Sequence, residues 1–276
     1  VRPKSSRPLL GLTLCTLVGL CALVAPWVGP NPDRGDLAAI LEPPSGEHWM
    51  GTDGNGRDVF ARWLHGARVS LSVGLTAAAL ALMIGVPAGA LGGYRGGLTD
   101  AAVGRAIEAA MCFPALVVTI ALLSIDPAWL RALPETLRIA AALAVVGWTP
   151  AARYLRGEFQ KLRTSDAVSA ARAAGASHAR IVLLHLLPRS LAPVLVTLAF
   201  AIGASSLAEA TLSFLGIGIA PPRASWGEML YQAQHHVGRA WWLALFPGAA
   251  LFALVLGCNR LAEGIRDWLD PQHPRA

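Results

Sequence analysis

Charge is what this sequence is short of. Only 14% of its 276 residues are charged while 54% are hydrophobic, against roughly a quarter charged in an ordinary soluble domain. A chain this apolar, with a mean hydropathy of +0.50, reads neither as a disordered polypeptide nor as a water-soluble globule. Its formal charge is +6, but the arginines are scattered and no block of like charge marks a nucleic-acid tail. The 4 cysteines, Cys15, Cys21, Cys112 and Cys258, lie in or beside apolar runs and show no CxxC spacing. They give no support to a disulfide framework or a thiolate metal site and read as small buried apolar residues. Also missing are a phosphate-cradling GxxxxGK[ST] loop and any cluster of His, Asp, Glu or Ser suited to hydrolysis. The expectation is a protein that is not an enzyme, carries no cofactor or metal, and has no nucleic-acid partner.

What the chain does have is long apolar runs. A spanning helix needs about 20 mostly apolar residues to cross a hydrocarbon core ~30 Å thick. Residues 9–28, 71–94, 191–212 and 241–258 satisfy this, and 109–125 and 139–152 are shorter candidates. In lipid every backbone polar group must be paired internally, and these runs lack the alternation of barrel strands. The sequence therefore predicts an all-α, multi-pass membrane protein of six spans. Arg2, Lys4 and Arg7 before the first run also suit a secretory signal, but the run is long and no small-x-small cleavage site follows, so it reads as a retained anchor. The expected organisation is a tail and anchor at 1–28, an extracytoplasmic loop at 29–70, a five-helix core at 71–270 with a cytoplasmic loop at 153–189, and a tail at 271–276.

With six spans both termini share one side. That side receives 15 of the 23 basic residues, 7 of them within 153–189, so the positive-inside rule places both termini in the cytoplasm. Trp27, Trp129, Trp148, Trp226, Trp241 and Trp242 fall at or near predicted helix ends, where an indole suits the headgroup layer.

The stretch 154–189 is too polar to span and too apolar for a solvated tail. Ser165 and Asp166 followed by an Ala-rich run and then Gly175 describe a short capped helix. Val168, Ala171 and Ala174 or Gly175 fall on one small apolar face, over which another surface can approach closely. An amphipathic helix lying on lipid usually carries bulkier residues there. This segment resembles the coupling loop of ATP-binding-cassette importer permeases, which reads E-A-A, three residues, G, nine residues, I-x-L-P. The matching positions are Ser169-Ala170-Ala171, Gly175 and His185-Leu186-Leu187-Pro188, with Ser169 in place of Glu and His185 in place of Ile. The His-x-Leu-Pro form is similar to the dipeptide/oligopeptide/nickel branch, although Arg189 stands where that branch has Asn. Further matches are Met50-Gly51-Thr52-Asp53 through Gly56-Arg57-Asp58, Gly93-Tyr94 with Asp100, Leu212 to Ile219 running into Pro221-Pro222, and Leu261 to Asp267.

The resemblance runs from about Glu47 onward and implies a type I importer permease fold (MetI-like), similar to the second of two permease subunits. It implies a paralogous permease partner, two ATP-binding subunits that hydrolyse ATP, an extracytoplasmic solute-binding protein, and a place in the inner membrane. Ser169, Ala170, Ala171, Gly175, Ala176, His185 and Pro188 are the candidate contacts to an ATP-binding subunit. The cargo stays open among dipeptides, oligopeptides, glutathione, nickel chelates and antimicrobial peptides. A self-contained secondary transporter or channel is the alternative; it would not need the Ala-Gly loop and would more often show internal repeats or several intramembrane charges.

Three smaller features keep two readings each. Asp53, Arg57 and Asp58 among Gly51, Gly54 and Gly56 suit either contact with a solute receptor or an intrachain knot, and the spacing is not that of an EF-hand. Glu209, a carboxylate near the end of the fifth run, either lines a pathway or sits at the interface. Pro87, Pro114 and Pro247 either bend spans around a pathway or are static packing features. His235-His236 reads as an ordinary outer-face pair, since adjacent histidines on a helix diverge and no acid or thiol joins them.

Overall fold

The computed structural model describes residues 7–28 and 31–269; the expected tails at 1–6 and 271–276, with Arg2, Lys4 and Arg275, lie outside them. The helices are α1 Arg7–Val24, α2 Val59–Arg95, α3 Gly97–Met111, α4 Ala115–Ile125, α5 Ala128–Arg131, α6 Glu135–Gly147, α7 Thr149–Leu162, α8 Asp166–Ala173, α9 His178–Ile181, α10 Leu187–Arg189, α11 Leu191–Phe214, α12 Trp226–Ala233 and α13 Trp242–Leu269. Among the described residues there is no strand, only two isolated bridges, Gly35 with Arg57 and Thr52 with Asp58. The all-α reading holds.

The central element is α2. At ~1.5 Å per residue its 37 residues reach roughly 55 Å, well beyond a hydrocarbon core. Sequence hydropathy places its start at residue 71, because Arg62, His65 and Arg68 depress the apolar average of the first three turns. The helix in fact starts twelve residues earlier, where the Asp58 carboxylate accepts from the Ala61 N–H at 2.8 Å. The expected loop at 29–70 therefore ends in helix.

Among the described residues four helices are long and apolar enough to cross a membrane: α1 with its extension to Trp27, α2, α11 and α13. The expected span at 109–125 is instead divided between α3 and α4, which meet at 82°. Pro114, at the N-cap of α4, has no N–H with which to continue the helix before it. The pair counts as a fifth crossing only if taken together. The fourth expected span, 139–152, is split at Trp148 between α6 and α7, and α7 carries helix on to Leu162. Much of the expected loop 153–189 is thus helix, and the polar segment proper begins at Arg163.

Three cores hold the helices. One joins α1, the start of α2, α12 and α13 around Trp226, Trp242 and Leu254. A second joins α2, α6 and α11 around Val73, Ile139 and Leu212. The third gathers Leu155, Phe159, Val168, Ile181 and Leu186 beneath α8. Where α2 crosses α7, Gly85, Gly89 and Gly93 recur every fourth residue. A Cβ on Gly85 would lie 2.5 Å from the Trp148 carbonyl oxygen and one on Gly93 2.5 Å from that of Arg156; on Gly89 it would collide with the Ala152 carbonyl. Two backbones meet here with no side chain between them, the small-residue packing of helices in membranes.

The tryptophans divide. Trp27, Trp129 and Trp241 are exposed at helix ends, as interfacial anchors require, but Trp226 and Trp242 are core residues. Trp63, which sequence placed in a loop, lies in α2 and donates to the Phe246 carbonyl at 3.1 Å.

Candidate functional site

The α8 segment is a short helix with a well-defined end. The Gly175 N–H donates to the Arg172 carbonyl at 2.9 Å and the Ala176 N–H to that of Ala171 at 3.0 Å, which together make a Schellman stop. Gly175 carries the required positive φ, +78°, and a Cβ there would meet nothing within 4 Å. Its role within the chain is conformational, set by that φ, with open space among the described residues where a Cβ would stand. At the other end Ser165 occupies the N-cap position, but its hydroxyl makes no capping bond and is buried without a partner among the described residues. Asp166 supplies negative charge to the first turn instead.

The apolar face read from sequence divides: Val168 and Ala171 turn inward, so they are not the open face expected of them, while Ala174 and Gly175 are exposed. Val168 is fully buried, and Ala171 and Ala176 pack against the same core as Phe159 and Ile181. The small outward residues are Ser169, Ala170, Ala173, Ala174 and Gly175, with Asp166 and Arg172 also exposed. Small residues therefore occupy both faces, one fastening the helix to α7 and the other open to solvent. Beyond α9 the backbone widens into a π turn, Val182–Leu186, in which the Leu187 N–H reaches back to the Val182 carbonyl. Pro188 explains the register: it has no N–H for the preceding turn, and the ladder resumes one residue out of step. His185 is half-buried in this turn, and Pro188 is exposed.

Three contacts that sequence reasoning missed attach this segment to α2 and α3. The Tyr94 hydroxyl and His178 Nδ1 are hydrogen-bonded at 2.8 Å, and the Arg172 guanidinium lies 5.9 Å from the Tyr94 ring centroid. Arg156 on α7 forks onto both oxygens of Asp100 on α3, at 2.5 and 3.0 Å, with Gln160 donating at 2.9 Å. Arg163 abuts Gly96, at the positive-φ end of α2, and donates to the Gly93 carbonyl at 3.4 Å.

At the opposite end of α2 the acidic and basic residues of the fifties form an intrachain knot. Asp53 accepts from the backbone N–H groups of Asn55 and Arg57 and from Arg57 Nε at 2.7 Å. Arg57 reaches on to Gln232 at 2.8 Å, and Arg62 donates to Glu228 at 2.8 Å while lying 3.5 Å from Asp53. Asp58 holds His48 at 2.8 Å. Burial pushes the Glu228 carboxyl above the usual carboxylate range, and Arg62 takes back part of that rise.

Glu209 is fully buried with both oxygens engaged, accepting from Ser70 at 2.9 Å and Ser213 at 2.8 Å. Ser70 in turn accepts from the Trp226 N–H at 3.2 Å, so one carboxylate joins α2, α11 and α12. A cleft of about 840 Å³ runs between α7 and α11 past Tyr154, Glu158, Arg189 and Thr197, and Glu209 is not on it. Exposed His235 stacks edge-on against Tyr231, and no group of three or more metal-ligating residues occurs among the described residues.

Residues 85–273 match the family described as the binding-protein-dependent transport system inner membrane component. Over 99% of its length the chain is 42% identical to a Brucella suis protein carried under a peptide transport permease name, covering 89% of that protein. It is 36% identical over 98% of its length to the dipeptide transport system permease protein DppC of Alkalihalophilus pseudofirmus, covering 87% of it. With the oligopeptide transport system permease protein OppC of Bacillus subtilis it shares 34% identity over 96% of its length and 85% of that protein's. A helical membrane chain matched over most of its length by one family model, and over nearly all of it by these relatives, belongs to the binding-protein-dependent transport system inner membrane component family.

Proposed function

We propose that this chain is the transmembrane permease subunit of an ATP-driven importer for peptides or a related solute, and that α8 through Pro188 is its docking piece for a separate ATP-binding subunit. It works with a paralogous permease, two ATP-binding subunits and an extracytoplasmic solute-binding protein, with both termini on the cytoplasmic side of the inner membrane. ATP hydrolysis belongs to the partners. The observation that carries the docking reading is the two-sided construction of α8: Val168 and Ala171 fix it to the α7 core while Ser169, Ala170 and Gly175 face outward with nothing bulky on them. A lever must be rigid on one side and admit another surface on the other. The peptide cargo rests on the names of the relatives.

Gly175→Asp tests the docking. The substitution places a side chain on the outward face and forces φ +78° on a residue with a Cβ, at a backbone cost of about 1 kcal/mol. ATP-driven uptake and co-purification of the ATP-binding subunit are expected to fall sharply, while the amount of permease in the membrane is unchanged. Wild-type uptake with the ATP-binding subunit still attached overturns the assignment.

A further inference from the structure

Where α2 ends beside the coupling segment, a groove of about 590 Å³ opens on the surface. Its floor is apolar and includes Pro87 and Leu91 of α2 and Leu183 of the π turn. Its rim carries Arg95, Arg172 and His178. Leu91 and Leu183 are 44% and 58% exposed, and the open stripe continues along α2 to Met83, 71% exposed. Met83, Pro87 and Leu91 recur every fourth residue, so they form one line down the helix that ends at the cation Arg95, the last residue of α2. Neither Arg95 nor Arg172 takes part in an ion pair among the described residues, although both surfaces that bear them are otherwise organised. Tyr94 holds the rim together, bonded to His178 and lying under Arg172.

A row of exposed apolar side chains leading along a membrane-crossing helix into unpaired cations matches one kind of molecule: an amphiphile with a negative head and a hydrocarbon chain. A free phosphate satisfies the arginines and leaves the floor bare; a neutral lipid covers the floor and leaves the arginines bare. Basic pockets between helices near one leaflet bind anionic headgroups on this principle. We propose that the groove is a binding site for an anionic phospholipid, its phosphate against Arg95 and Arg172 and an acyl chain along Leu91, Pro87 and Leu183. The assignment depends on α2 crossing a bilayer; Arg172, His178 and Leu183 belong to the segment assigned to docking, so the lipid takes the side of that segment turned toward α2 and leaves Ser169, Ala170 and Gly175 to the ATP-binding subunit.

The test uses the importer assembled in nanodiscs of phosphatidylcholine with a minority of phosphatidylglycerol, and native mass spectrometry to follow the lipids that stay on the protein. Wild type is expected to retain phosphatidylglycerol in preference to phosphatidylcholine. In Arg95→Gln/Arg172→Gln that retention weakens roughly tenfold to thirtyfold. Arg105→Gln, an exposed arginine facing Glu108 away from the groove, behaves as wild type. Leu183→Trp fills the floor without touching a charge and is expected to release the same lipid. Equal retention of phosphatidylglycerol by wild type and the double variant overturns the proposal, as does equal retention of the two lipids by wild type. A photo-crosslinker at Leu183 that captures a protein subunit instead of lipid also overturns it, by giving the groove to a protein.

Discussion

At the scale of single residues the knot at the start of α2 takes charged groups almost wholly out of solvent. Arg62 and Glu228 have side chains only 1% exposed and lie 2.8 Å apart. Breaking a buried pair by removing one member costs about 3–5 kcal/mol, because the other charge stays buried, whereas replacing both by apolar groups often costs little. Arg62→Leu is therefore expected to destabilise the protein severely, and Arg62→Leu/Glu228→Leu to recover most of the loss. The pH dependence has a definite sign. A carboxyl whose folded pKa is raised, as Glu228's is by burial, favours the fold below its unfolded pKa and loses that contribution as pH rises through the folded value. Removing Arg62 removes the largest opposing pull and extends that window upward. The Arg62→Leu defect should accordingly be smaller at about pH 5 than at about pH 8. Thermal unfolding of both variants in detergent at the two pH values checks this, and strictly additive losses with no pH dependence contradict it.

At the scale of elements, the contact that matters most is the glycine ladder between α2 and α7. Its spacing, Gly85, Gly89, Gly93, was not read from the sequence, because only the partner helix gives it meaning. Trp148, Ala152 and Arg156 show the same four-residue spacing, and they belong to a helix whose first residues look like the tail of a short span and whose last look like a loop. Two glycines separate packing from propensity. A Cβ added to Gly19 of α1 would meet nothing within 4 Å, so Gly19→Ala should gain about 0.5–1 kcal/mol from the lost flexibility of glycine. Gly89→Ala drives a methyl into the Ala152 carbonyl and should cost about 1–3 kcal/mol instead. Opposite signs of the melting-temperature change for the same substitution are the expected result; a gain at both positions means that α2 and α7 do not approach this closely.

At the scale of the whole molecule, polar joints sit at the two ends of the helices and small-residue packing lies between them. Sequence reading recovered α1 and α11 and the apolar first part of α13, where uninterrupted hydropathy suffices, but stopped at Cys258, short of the charged last turns that reach Leu269. It lost the start of α2, where Arg62 is buried against Glu228, far along the chain, and Asp53. It held the bend at Pro114 as one of two readings, and it lost the division at Trp148, because a hydropathy window averages over a break in the helix. The candidate docking segment was legible as a motif and a helix stop, but which face of α8 turns outward depends on where the core of Phe159 and Ile181 lies. Tyr94 and Asp100, matched only as part of a motif, acquire roles through His178, Arg172 and Arg156. Asp100 is the clearest case at this scale, because it is the charge that fastens the bent pair α3–α4 to α7, and α7 carries α8 through the same core. If movement of α8 reaches the bent pair, it passes through this clamp. Asp100→Asn should leave assembly and ATP hydrolysis near wild type while lowering solute taken up per ATP hydrolysed. The exchanged pair Asp100→Arg/Arg156→Asp should restore part of that ratio, since the partners are only partly exposed and can meet in the opposite sense. Measured uptake and hydrolysis falling in proportion would instead make the clamp a matter of stability alone.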